Sequence, residues 1–134
     1  MSRERFAGLL LGLMLGVGGL LAGEEVPDAA AELLKLEVEN LAELRTDGEY
    51  ERALKTGEAL LKQHPDDESV LVELCRTLLE VGRYGECLKR CESYLSRHPR
   101  SFVVRTVRAE ALRAVGRYEE AYEEAKVAST LEGR

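Results

Sequence analysis

Tryptophan is absent from this 134-residue sequence and aromatic residues make up only 5% of it, while Leu, Ala, Glu and Arg, strong helix formers, dominate. β-branched residues are few, which leaves little to build a sheet from. The composition therefore predicts an all-α chain. It also excludes a disordered one, because 45% hydrophobic and 33% charged residues is the balance of a soluble globular domain. Basic excess is missing as well. The formal net charge is −6, and since Arg3, Glu4 and Arg5 together contribute +1, the part beyond Gly23 carries −7. Such a surface repels a phosphate backbone, which excludes nucleic acid as a partner and disfavours anionic lipid. No phosphate-binding loop, nucleophile elbow or paired carboxylates of a recognisable cleft occur. Cys87 and Cys91 are four residues apart, a helical spacing and not the C-x-x-C of thiol oxidoreductases, and no strand pattern surrounds them. The chain reads as non-catalytic, with no cofactor and no metal.

The first 23 residues differ in kind from the rest. Arg3 and Arg5 precede an uncharged, largely apolar run from Phe6 to Ala22, and strongly polar sequence begins at Gly23-Glu24-Glu25. That is the layout of an export leader. The run exceeds the about 7 to 15 residues of a cleaved signal core and sits at the roughly 17-residue lower limit for a spanning helix. Cleavage after Ala22 or Gly23 would put Leu20 or Leu21 where a small residue belongs. Gly8, Gly12 and Gly16 recur every fourth residue, and on a helix they would form a smooth stripe for close approach of a second span. Residues 1–23 are thus compatible with a signal peptide or with an N-terminal membrane anchor through residues 6–22. Both predict a chain facing outside the cytoplasm, periplasmic or membrane-bound.

Beyond an acidic lead-in at residues 24–33 the sequence repeats itself. Gly48-Glu49-Tyr50, Gly82-Arg83-Tyr84 and Gly116-Arg117-Tyr118 recur every 34 residues. Small residues, Ala53, Cys87 and Ala121, follow each tyrosine in register, leucines 44, 78 and 112 precede it, and His64-Pro65 is matched by His98-Pro99. Each element has a physical reason. A glycine just past a helical run supplies the left-handed residue that ends it without a Cβ penalty. The tyrosine opens the second helix, its ring packing in the bend while its hydroxyl stays near water. The small residue lets two helices cross closely. Proline forces the histidine before it out of helical geometry and stops the second helix, after which Asp67 and Ser101 are plausible caps. Six helices follow, over Asp28 to Thr46, Glu51 to Gln63, Glu68 to Val81, Gly85 to Arg97, Phe102 to Val115 and Glu119 to Leu131. His64 and His98 fall at successive helix ends with no third ligand, so they read as donors near C-terminal carbonyls and not as a metal pair.

These residues resemble the tetratricopeptide repeat, a 34-residue helix-turn-helix unit with W-x2-L-G-x2-Y, A-x3-F and P positions. The resemblance runs over residues 34–134 as three degenerate repeats, 34–67, 68–101 and 102–134. The early aromatic is Glu37, Leu71 and Arg105 here, the later one is Gly57, Cys91 and Ala125, and Gly133 stands where the last proline belongs. The resemblance implies an all-α, right-handed superhelical array of antiparallel helix hairpins whose first helices line a concave groove. Val38, Ala42, Arg45, Val72, Arg76, Leu79, Thr106, Glu110 and Arg113 would form that groove, with the three arginines meeting a carboxylate or backbone carbonyl of a bound protein or peptide; the alternative is that they are solvated helix ends. A Lys and Asn carboxylate clamp of some family members is not matched, because Val38 and Ala42 occupy those places. The implied hairpin geometry brings Cys75 and Cys87 to the close crossing of their helices, a candidate disulfide in an exported chain, with small buried fillers as the alternative. No polar helix caps the array after the last repeat, so the C-terminal helix is expected to self-associate or to fray. The implied function is a protein-interaction adaptor or scaffold, and the alternative is a self-associating, homo-oligomeric envelope component.

Overall fold

The computed structural model describes residues 28–133, so the leader and most of the acidic lead-in lie outside the described residues. Among the described residues there are six α-helices and no strand: α1 Ala29–Thr46, α2 Tyr50–Gln63, α3 Glu68–Glu80, α4 Tyr84–Arg97, α5 Phe102–Ala114 and α6 Tyr118–Glu132. None is long and apolar enough to cross a membrane. The chain divides into two units, one up to Leu36 and one from Glu37 onward. Of the first, the described part is the opening of α1, where the Asp28 carboxylate accepts from Ala30 N–H at 3.1 Å and Leu33 and Leu36 are exposed. The second holds the rest of α1 and all of α2 to α6.

The helices start and stop for the reasons written in the repeat. Gly48, Gly82 and Gly116 adopt φ of +77°, +81° and +83°, and the N–H of the next residue donates to the carbonyl of Leu44, Leu78 or Leu112, each at 2.9 Å. This is the 6→1 bond of a Schellman stop. Asp67 and Ser101 cap α3 and α5, accepting from Val70 N–H at 3.0 Å and Val104 N–H at 3.2 Å. The observed ends differ from the sequence-based ones by about a residue, since Tyr50, Tyr84 and Tyr118 are themselves the first helical residues. His64 and His98 leave helical geometry just before their prolines. The His98 ring, however, serves no carbonyl: it stacks on Tyr94 with centroids 4.5 Å apart and meets Asp66 at 3.1 Å.

From α2 onward each helix packs on its successor, and α3 also packs on α5. The core lies at this level. Leu74, Leu78, Leu112, Val104 and Val107 are buried there, and removing each from water contributes about 1.5–3 kcal/mol against the entropy of ordering the chain. Gly57 shows why small residues recur: a Cβ there would lie 3.1 Å from Leu74 Cδ1. Charge pairs at roughly repeat spacing tie successive hairpins. Arg45 meets Glu73 at 3.2 Å and Glu80 at 3.0 Å, Arg90 meets Glu58, Arg97 meets Asp66, and Ser101 Oγ donates to Glu68 at 2.7 Å.

Candidate functional site

The first helices were expected to present a groove, and the structure places its nine residues in different situations. Val38 and Ala42 are half-buried, and Val72 is buried in the core. Leu79 is partly buried against that core. Arg45 is committed to Glu73 and Glu80. Burial alone would lower its pKa, but the hydrogen bond to Glu80 and the charges of Glu73 and Glu80 more than offset this, and the guanidinium is held above its ordinary value. Arg76 is exposed. Thr106, Glu110 and Arg113 of α5 are exposed together and line one cleft.

That cleft, ≈ 470 Å³, lies between α5 and α6 and takes its other wall from Tyr118, Tyr122, Ala125 and Ser129. Its chemistry is an apolar floor with aromatic rings at one side and mixed charge at the rim, Glu110 and Glu132 against Arg113. A second hollow of ≈ 560 Å³ between α2 and α4 is larger, but the Arg90–Glu58 ion pair spans it.

Its origin is legible from the repeat. Tyr84, Leu88, Cys91 and Leu95 occupy on α4 the places of Tyr118, Tyr122, Ala125 and Ser129 on α6. On α4 the stripe is covered by α5, and Leu88 and Leu95 are 8% and 9% exposed. On α6, Tyr118 and Tyr122 are 67% and 65% exposed. The cleft is the seat that, one hairpin earlier, receives a helix. Sequence reasoning fixed on the first helices and missed the tyrosines of the second, although the equivalence at 34 residues was there to find them.

Away from the cleft, Glu124 is 7% exposed and is paired with Arg105 at 2.7 Å and with Arg108. Arg105 stands where the family pattern has an aromatic, so a buried ion triad replaces a ring between α5 and α6. The three cysteines are all buried and all free thiols. Their sulfurs lie within 4.8 Å of one another, with Cys75 and Cys91 at 3.9 Å. Hydrogen bonds with Cys87 and Cys91, reinforced by burial, push the Cys75 thiol up. Hydrogen bonds from Cys75 and Cys91 pull Cys87 down.

A family model described as tetratricopeptide repeat matches residues 44–111. The curated proteins give no match. Among solved structures, a thermophilic TPR protein of Thermus thermophilus superposes with a TM-score of 0.62 at 27% identity, over 75% of this chain and 57% of that one. MamA of AMB-1 gives 0.65 at 22% identity, over 78% and 62%. The TPR2B domain of yeast Sti1, in complex with pHsp70, gives 0.64 at 21% identity, over 72% and 81%. The last two are likenesses of fold. The chain spans only about 60% of the length of MamA and of the Thermus protein.

Proposed function

Because this chain belongs to the tetratricopeptide repeat family, whose hairpins form stacked helical scaffolds for other proteins, we propose that it is a non-catalytic adaptor that seats an amphipathic helix of a partner protein in the α5–α6 cleft. The observation that carries this is the uncovered stripe of α6. A helix already packs on the equivalent face of the second hairpin, and the third presents an apolar floor of Ala121, Ala125 and Ala128 there. Its tyrosines suit the role, since a ring supplies contact area and its hydroxyl a polar handle at a surface that is wet until the partner arrives. The recognition is of the helix-in-groove kind, read by side chains at three- and four-residue steps.

The apolar run at residues 6–22 behind Arg3 and Arg5 supports action outside the cytoplasm or on the membrane surface, where the chain joins an envelope assembly. Cross-linked affinity capture of the full chain from its own cells tests the adaptor reading, with a Tyr118→Ala/Tyr122→Ala variant as control. One partner whose cross-links map to α5 and α6, and which the variant loses, supports it. Equal capture by both proteins overturns it, and recovery of self-linked chains alone replaces it with a homo-oligomeric component. Protease protection of a C-terminal tag in intact cells tests the location.

A further inference from the structure

Cys75 stands on α3, and Cys87 and Cys91 stand one turn apart on α4, so the helix crossing turns all three toward one point. Each is 0% exposed. Packing does not demand sulfur here. The repeat puts Leu41, Ala53 and Gly57 at the same three places in the first hairpin, all buried and without sulfur, while Ala109, Ala121 and Ala125 of the third line its open cleft. Nor do the sulfurs gain much from each other, because a thiol is a weak donor and a weak acceptor. Their spacing matches something else. A metal bonded at roughly 2.3 Å to three sulfurs in a plane sets those sulfurs about 4.0 Å apart, and the measured triangle has one edge of 3.9 Å and none above 4.8 Å.

We propose that Cys75, Cys87 and Cys91 form a three-sulfur site for a soft monovalent metal ion, Cu(I), inside the middle hairpin. Ligand type and number select the ion. An all-sulfur set favours soft Cu(I), whereas structural zinc takes four ligands. Among the described residues no histidine or carboxylate joins the cluster. The fourth direction is closed by Leu71, Val72, Val104 and Val107 around a gap too small to admit water. Binding displaces thiol protons to solvent and changes no oxidation state. With two thiolates and one retained thiol the complex carries a single negative charge, and the Arg108 guanidinium is near enough for its charge to act on Cys91. Complete burial puts metal entry before the hairpin closes or during a local opening. A disulfide between any two of the three would destroy the site, so the metal and the Cys75–Cys87 bridge exclude one another.

The test is titration of the reduced full chain with Cu(I) under anaerobic conditions, against a chromophoric Cu(I) chelator, both in the folded state and during refolding. One equivalent is expected to bind, with a thiolate-to-copper charge-transfer band and a raised melting temperature. The triple variant C75A/C87A/C91A copies the third hairpin and should bind at least 100-fold more weakly; should it fail to fold, Cys87→Ala is expected to lose at least 10-fold with its circular dichroism intact. Wild-type affinity within 10-fold of the folded triple variant, or equal to that of C87A, overturns the site. So does a disulfide among the three cysteines in chain taken from its cells under thiol-blocking conditions.

Discussion

Replacing Glu124 by glutamine would remove one charge from the contact between α5 and α6 while keeping the side chain's shape. Glu124 is 7% exposed and pairs with both Arg105 and Arg108, whose side chains are 21% and 19% exposed. Breaking a buried pair by removing one partner costs about 3–5 kcal/mol, most of it the burden of an uncompensated buried charge. Here each arginine is a fifth exposed and keeps a second acceptor, Arg105 the Pro99 carbonyl at 2.9 Å and Arg108 the Glu92 carboxylate at 3.3 Å. The expected cost is therefore lower, about 2–3 kcal/mol. At about 4–8 °C per kcal/mol for a domain of this size, the melting temperature should fall by ~10–20 °C. Thermal melting followed by circular dichroism measures the shift and urea titration the free energy, and Glu92→Gln, at an exposed carboxylate, is the control expected within about 0.5 kcal/mol of wild type. A third protein completes the argument. Converting Arg105, Glu124 and Arg108 all to methionine removes every charge and should restore most of the loss, since apolar replacement of a buried triad is often neutral or stabilising. If E124Q melts with E92Q, the triad is not what holds the third hairpin. If the methionine triple is no more stable than E124Q, packing and not unpaired charge set the cost.

Three further outcomes follow from the same geometry. Gly82→Ala forces a Cβ into φ +81° and should cost about 1–2 kcal/mol, while Gly85→Ala, in the first turn of α4 with nothing within 4 Å of the new Cβ, should stabilise by about 0.5–1 kcal/mol in the same urea assay. Asp67→Ala and Ser101→Ala each remove a helix cap and should cost about 1 kcal/mol; equal stability of both variants and wild type would mean that the caps are spectators. The hydrogen bond from His98, aided by the charge of Arg97, holds the Asp66 carboxyl below its ordinary 3.8. A depressed folded pKa gives stability that is present above the unfolded value and lost as pH falls through the folded one. Any advantage of wild type over Asp66→Asn should therefore persist above pH 4 and shrink below it, and an advantage that grows on acidification would contradict the pairing.

The helices were almost wholly legible in the sequence because each is bounded by a local signal. Glycine at positive φ, a capping Asp or Ser and a proline act within a few residues of themselves, and 34-residue repetition states each signal again. What sequence left open were relations between hairpins. Whether Arg45 faces a ligand or two glutamates depends on where Glu73 and Glu80 stand after stacking. The nine nominated groove residues shared one helix face in the pattern, yet stacking buried Val72 and left Thr106, Glu110 and Arg113 beside the open tyrosines of α6.

The cysteines divide the two kinds of knowledge most clearly. Sequence placed Cys75 and Cys87 at a helix crossing through the family likeness and left Cys91 over, since chain spacing says nothing about which sulfurs converge. The crossing of α3 and α4 turned all three inward to within 4.8 Å. Sequence by itself determined the all-α class, the hairpin period, the helix ends and the acidic surface, because these rest on local backbone chemistry and on summed charge. Tertiary structure alone decided which charges are spent on stacking, which stripe is uncovered and which thiols meet, because each depends on distances between residues a full repeat apart or on facing helices.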